Sequence, residues 1–208
     1  MTAKTTLAAA GLLATFAVVG VGLVAATHWA TRDQIAENAR NRLMRGINEV
    51  LPADRYDNEP VADFVDLRDL DLLPPSGTTR IYRAFKAGRP AAAVFSIIAP
   101  DGYNGAIQLL MAVHVDGDIA GVRVLNHKET PGLGDPIDIA KSDWITRFTG
   151  YGLGNLDQTG WKVKKDGGIF DQFTGATITS RATVAAVHRG TQFFQKHQTT
   201  IFPEAPNR

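Results

Sequence analysis

The sequence contains no cysteine. Disulfides, thiol nucleophiles, cysteine-attached haem and cysteine-ligated iron–sulfur clusters are therefore excluded from this chain, and any redox chemistry must come from an organic cofactor or a partner. Net charge is almost absent too. Against 22 Lys and Arg stand 21 Asp and Glu, a formal balance of +1 that gives no electrostatic footprint for a nucleic acid. No G-x-G-x-x-G turn joins a strand pattern to a helix pattern, so the chain carries no dinucleotide fingerprint. The histidines at 28, 114, 127, 188 and 197 form no metal-ligand spacing with one another. No internal repeat or low-complexity tract is present.

Charge is also missing from one continuous stretch, Thr5 to Ala26, where Ala, Leu, Val and Gly dominate. As a helix this run would measure about 33 Å, enough to cross a bilayer, and Trp29 follows where an interfacial aromatic sits. A cleaved signal peptide is the competing reading, with Lys4 as its positive n-region and Val24-Ala25-Ala26 as a small-residue run, but the apolar stretch is longer than an ordinary h-region. Residues 1–30 are therefore read as a membrane anchor in contact with the lipid bilayer. Arg32, Arg40, Arg42 and Arg45 outnumber Lys4, so charge alone would keep the rest of the chain in the cytoplasm. Large C-terminal domains, however, cross largely regardless of such counts.

Residues 31–76 read as a helical connector and loop. Asp33 is placed to cap an amphipathic helix with Ile35, Ala39, Leu43, Ile47 and Leu51 on one stripe, and Pro52 stops it. An acidic, proline-containing loop from Ala53 to Ser76 has room for one short strand. Residues 77–208 read as a folded domain, with strands over Thr79–Phe85, Ala91–Ala99, Ile107–Val115 and Ile119–Leu125. The last two flank Asp116-Gly117-Asp118, a hairpin turn in which glycine supplies positive φ. Further along, the pattern predicts a short helix over Ile137–Lys141, core anchors at Trp144 and Phe148, and a strand at Trp161–Val163. A C-terminal helix is expected to carry Val184, Val187, Thr191 and Phe194 on one stripe, with Thr179 or Ser180 as its N-cap. Strands clustered centrally with helices at the ends predict an α+β fold, a mainly antiparallel sheet with flanking helices, rather than alternating βαβ units.

Two segments carry the chemistry. His127-Lys128-Glu129-Thr130-Pro131-Gly132-Leu133-Gly134 cannot continue a strand or helix, so it forms a turn-rich loop whose backbone can approach a flat ligand; a plain surface connection is the alternative. Asp171-Gln172-Phe173-Thr174-Gly175-Ala176-Thr177 leads into the C-terminal helix, where an anion would meet free N–H groups and the helix dipole. A threonine hydroxyl is a poor nucleophile, so modification of Thr177 needs a separate enzyme and an open approach, which Gly175 and Ala176 leave. An ordinary capping turn is the alternative.

The second segment resembles the D-x-x-[ST]-G-A-T acceptor of proteins that carry FMN through a phosphoester to threonine. Gly102-Tyr103-Asn104-Gly105, the hairpin with Gly117, Ile119 and Gly121-Val122, the H-K-E-T-P-G-L-G loop, Lys141-Ser142-Asp143-Trp144 and the acceptor occur in the order expected of the FMN-binding, G-type subunit of the Rnf electron-transport complex. The C-type subunit of the sodium-pumping NADH:quinone reductase shares that domain. The resemblance runs from Gly102 to Ser180.

It implies a covalent FMN on Thr177, flanked by Thr174, Gly175 and Ala176 and installed by a periplasmic flavin transferase. It implies that Glu129, Thr130, Leu133 and Gly134 lie against the isoalloxazine ring, Glu129 and Thr130 hydrogen-bonding its edge and Leu133 covering its face. Asp171 would be read by the transferase or hold the loop, and His127 is the one histidine inside a candidate site. Catalytic residues and metals are not implied. The resemblance further implies a single-pass inner-membrane protein with a periplasmic domain, relaying electrons among membrane, iron–sulfur and flavin subunits that couple ferredoxin and NAD chemistry to ion movement. The C-type subunit of the quinone reductase, an unmodified structural or assembly subunit, and a reductase with its own small substrate are the other readings.

Overall fold

The computed structural model describes residues 3–73 and 78–203; the end of the Ala53–Ser76 loop and the residues from 204 onward lie outside the described residues. The chain divides into two compact units, Met1–Leu43 and Met44–Arg208.

From Ala3 onward the first unit is helical, as part of helix α1, Ala3–Val50. Its apolar stretch reaches a mean hydropathy of 2.3, long and apolar enough to cross a membrane, with none of that window buried in protein. Leu12, Leu13, Phe16, Val18 and Leu23 are all exposed, as a lipid-facing helix requires. Asp33 does not begin a second helix. It lies inside α1 beside Arg32, 3.3 Å away, because nothing between 27 and 37 breaks helical geometry. Pro52 does act as expected: α1 ends at Val50, and the residue before a proline is pushed out of the α region.

The second unit is built on a five-stranded antiparallel meander in the order β1-β2-β3-β4-β5. Its strands are β1 (Phe64–Arg68), β2 (Thr78–Lys86), β3 (Arg89–Ala99), β4 (Ile107–His114) and β5 (Ile119–Asn126). The register pairs Ile81 with Phe95, Phe95 with Met111 and Met111 with Val122, which lines apolar side chains along one face. Helix α2, Thr177–Ile201, covers that face: Phe193 meets Phe95 with ring centroids 5.4 Å apart, and a Cβ at Gly190 would come within 2.7 Å of the Met111 sulfur. The opposite face is covered by the end of α1, where Ile47, Val50 and Leu51 are buried. Gly121 on β5 passes so close beneath that a Cβ there would lie 2.6 Å from the Val50 carbonyl oxygen. Coverage on both faces explains why β4 is almost continuously apolar rather than alternating.

The segment from 127 to 176 holds only short 3-10 turns. One spans Asp135–Ile137, where a longer helix over Ile137–Lys141 is expected; the chain turns away at Asp138, which is extended. Likewise, Trp161–Val163 forms no strand, only a single bridge from Val163 to Phe170. Aromatic packing orders this region in place of a backbone ladder. Trp144 meets Phe148 edge-on at 5.4 Å and Phe173 at 4.9 Å, Phe148 meets Phe170 at 4.6 Å, and Trp161 lies between Phe170 and a stacked His188. Such pairs are worth about 0.5–1.5 kcal/mol each beyond their buried area.

Candidate functional site

Three loops meet at the start of α2: Gly102–Gly105 between β3 and β4, His127–Gly134 after β5, and Asp171–Ala176. The Glu129 carboxylate joins them and is 5 % exposed. One oxygen accepts the Asn104 backbone N–H at 3.1 Å, and the other accepts the hydroxyl of Thr179 from the first turn of α2. Asn104 also donates its side-chain amide to the Thr130 hydroxyl at 2.9 Å. Space around this carboxylate is fully used. A Cβ at Gly102 would lie 2.9 Å from one Glu129 oxygen, and a Cβ at Gly134 would lie 2.8 Å from the other and 3.0 Å from the Thr179 hydroxyl. The loop is further fixed by Gly134 N–H donating to the Thr130 carbonyl at 3.0 Å and by Gly132, at φ 76°, donating to Asp135 at 2.6 Å.

Above the Glu129–Thr179 contact opens a cleft of about 120 Å³. Its walls are Glu129, Thr130, Leu133 and Gly134 from one loop, Gly175, Ala176 and Thr179 from the other side, and Tyr103 at the rim. Leu133 and Tyr103 are 47 % and 65 % exposed, so the cleft has an apolar mouth open to solvent. A Cβ on Gly175 would come within 3.4 Å of Leu133, and its φ of 84° suits glycine.

Helix α2 begins without a side-chain cap. Its N-cap residue is Ala176, and the N–H groups of Thr177, Ile178 and Thr179 have no acceptor among the described residues. Alanine is a poor N-cap, and an uncapped helix start is a ready anion site. Thr179 and Ser180, each expected as the cap, instead lie within the first turn; Thr179 donates to Glu129, and Ser180 donates to the Ala176 carbonyl while accepting the Phe173 N–H. Thr183 donates to the Thr179 carbonyl at 2.9 Å. Thr177 is the first helical residue, half-buried, and its hydroxyl has no partner among the described residues.

Six of the eight residues anticipated for the site line the cleft. Thr177 stands next to it at the helix start, and Thr174 is exposed on the approach. Asp171 stays outside: its carboxylate pairs with Lys164 at 2.6 Å, while its carbonyl receives the Trp144 indole N–H at 2.8 Å. His127 supports the loop by accepting the Glu129 N–H at 3.1 Å. Sequence reasoning missed Tyr103, Asn104 and Thr179 as site residues. The Gly-Tyr-Asn-Gly run was visible as a motif, but its contact with Glu129 spans 25 positions and that of Thr179 spans 50. Among the described residues no cluster of His, Asp or Glu has metal-binding geometry.

This arrangement of loops on an antiparallel meander is that of a flavin-type domain: residues 102–192 match the FMN-binding domain family, and residues 1–50 match the RnfG N-terminal region. The chain is 47 % identical over 191 residues to the G-type subunit of the ion-translocating oxidoreductase complex of Shewanella baltica, covering 92 % of this chain and 90 % of that protein. It is 45 % identical over 196 residues to the corresponding subunit of Shewanella oneidensis, covering 94 % and 92 %. The chain belongs to the RnfG family, the G-type subunits of ion-translocating oxidoreductase complexes. The crystal structure of the C-type subunit of a Na(+)-translocating NADH-quinone reductase from Parabacteroides distasonis shares the fold, with a TM-score of 0.55 at 16 % identity over 84 % of this chain and 98 % of that one.

Proposed function

We propose that this chain is the flavin-bearing electron relay of a membrane-bound ion-translocating oxidoreductase complex, with FMN joined to Thr177 by a phosphoester. The observation that carries this reading is the unpartnered, half-buried hydroxyl of Thr177 at a helix start with no cap, next in the chain to Ala176 of the cleft wall. The neighbouring hydroxyls of Thr179, Ser180 and Thr183 are committed within the protein. The free N–H groups of the first turn are suited to a phosphate, and Leu133, Tyr103 and Thr130 to the face and edge of a flat ring.

Direct condensation of a phosphate with an alcohol is uphill in water, so the donor is a flavin nucleotide whose phosphate lies in an anhydride. The bond from Thr177 Oγ1 to phosphorus forms as the anhydride P–O bond breaks. The hydroxyl proton passes to the transferase or to solvent, and the other phosphate departs with its nucleotide; nothing is oxidised or reduced. A tether keeps the flavin at high local concentration even in an open site, and an open site lets another cofactor approach for electron transfer. FMN supplies the electron chemistry when present, while the chain holds its phosphate and orients its ring.

In this reading the domain lies on the periplasmic side of the inner membrane and exchanges electrons with iron–sulfur and flavin subunits of a ferredoxin- and NAD-linked complex. The RnfG relatives support the oxidoreductase assembly, and the apolar helix supports a single-pass anchor. The test is in-gel flavin fluorescence after SDS denaturation, with the full chain coexpressed with a flavin transferase and routed to the periplasm. Fluorescence is expected in the parent and absent in Thr177→Ala, at equal amounts of folded protein. Retention of fluorescence in the variant, or none in the parent while a control substrate is labelled, would sink the reading.

A further inference from the structure

Helix α2 has a second recess on the flank away from the cleft. Ala176 and Thr179 face the cleft, whereas Arg181, Val184 and Ala185 lie roughly half a turn round and line a cavity of about 390 Å³ against the Trp161–Asp166 turn. A shallower depression bounded by Asp101 and Ile178 shares Arg181 and Ala185 with it, so the two form one trough along the first turns of α2. Thr177 lies four residues before Arg181 and seven before Val184, on the stripe that borders this trough. The floor is apolar, and Ile178, which lines its shallower part, is 49 % exposed.

The rim beside the Trp161–Asp166 turn carries uncompensated positive charge. Arg181 grips Asp166 with two hydrogen bonds of 2.6 Å, and Lys164 pairs with Asp171 at 2.6 Å. Lys162 and Lys165 are exposed and make no ion pair among the described residues. After the Arg181 hydrogen bond, which acts most strongly, both lysines add to the field that holds the Asp166 carboxyl below its ordinary value. At the far end of the trough, Asp101 is offset by the nearby Arg189 cation. Leaving aside the paired Lys164 and Asp171, three cations, Arg181, Lys162 and Lys165, therefore meet one anion, Asp166, on this side of the trough, above apolar walls.

We propose that this trough is the surface on which the flavin-transferring enzyme docks, through an acidic segment carrying an apolar side chain. The inference rests on the assignment of Thr177 as the acceptor. That enzyme must reach the Thr177 hydroxyl while leaving the cleft clear for the ring, and the trough is the apolar recess bordering Thr177 on the other flank. Its surplus of two positive charges selects an acidic partner and speeds encounter, a contribution that fades with salt. Arg181, already held by Asp166, gives the rim a fixed edge.

The experiment uses the full chain in detergent, a purified bacterial flavin transferase and its flavin dinucleotide donor. Two quantities are followed across ionic strength: the initial rate of SDS-resistant fluorescence, and the affinity of the transferase for immobilised Thr177→Ala chain. The double variant Lys162→Glu with Lys165→Glu is expected to lower both about tenfold near 50 mM salt, with the difference closing toward 0.5 M. Lys86→Glu with Arg89→Glu, on the distant β2–β3 turn, is expected to change neither, and thermal melts establish that both variants fold. Parent-like rate and affinity in the Lys162/Lys165 variant at every salt would overturn the surface while leaving Thr177 as acceptor. Loss of binding to phosphatidylglycerol vesicles with unchanged modification would also overturn it, assigning the lysines to lipid. A parent chain that takes up no flavin would overturn the acceptor assignment and this surface together.

Discussion

The two flanks of the first turn of α2 are built on opposite plans. On the cleft side a buried carboxylate, two glycines without room for a Cβ and a committed hydroxyl leave a small space with fixed walls. On the trough side the recess is larger, the rim is made of exposed lysines, and the ion pairs lie at the surface. Fixed walls suit a group that stays, whereas an open charged rim suits a protein that arrives and leaves. The same helix turn can serve both because its side chains diverge around the axis: Thr179 lines the cleft, whereas Thr177 lies on the stripe of Arg181 and Val184 that borders the trough.

The difference should appear first in stability. Glu129→Ala leaves the buried Thr179 hydroxyl without an acceptor, worth about 1–3 kcal/mol, and hands the N–H of the exposed Asn104 to water at a smaller cost, so a total loss of about 2–3 kcal/mol is expected in urea unfolding. A loss below ~1 kcal/mol would mean that the clamp does not hold the loops together. Next comes Gly134→Ala. Its φ of −101° accepts alanine, so the whole effect is steric: contacts of 2.8–3.0 Å with Glu129 and Thr179 should cost about 2 kcal/mol by overpacking and reduce flavin retention.

The far end of α2 offers a contrast in pH rather than in packing. Asp69, with only 3 % of its side chain exposed, meets Lys196 at 2.7 Å and His197 at 2.9 Å. Burial works against its charge, but the hydrogen bonds from Lys196, His197 and the Leu72 N–H prevail and hold the carboxyl well below the ordinary carboxylate range. A folded pKa below the unfolded one gives stability that is complete above about pH 4 and lost as pH falls below it. Asp69→Asn should thus be less stable at pH 7 yet lose less on acidification from pH 4 to 2, as melts at a series of pH values would record. Smallest of all should be Lys162→Ala with Lys165→Ala, expected to alter stability by no more than about 0.5 kcal/mol, because neither side chain is buried or paired.

Strands β2 to β5 were legible to within one or two residues because alternation, β-branched content and the Asp116-Gly117-Asp118 turn all point the same way. The stripe of α2 was legible for the same reason: Val184, Val187, Thr191 and Phe194 are all buried. Asp33 misled because a good capping residue also sits comfortably inside a helix when nothing ahead of it breaks the pattern. The segment around Trp161 misled because its apolar residues pack edge and face against other aromatics, and that packing leaves no period in the sequence. The cleft was half legible. The loop that walls it could be named from its Pro and Gly content and its resemblance, but not the carboxylate clamp, whose partners come from separate loops.

A helix that starts on alanine is unfinished. Ala176 provides no oxygen for the first-turn N–H groups, and the nearest hydroxyls that might have done so are drawn away to Glu129 and to the Ala176 carbonyl. The single negative charge of a phosphodiester on Thr177 would supply what a capping side chain supplies elsewhere, typically about 1 kcal/mol. The cofactor would then be a late-installed building block as well as a redox group. Without such a charge the first turn of α2 keeps N–H groups that meet no acceptor among the described residues, the least finished stretch of an otherwise well-packed helix.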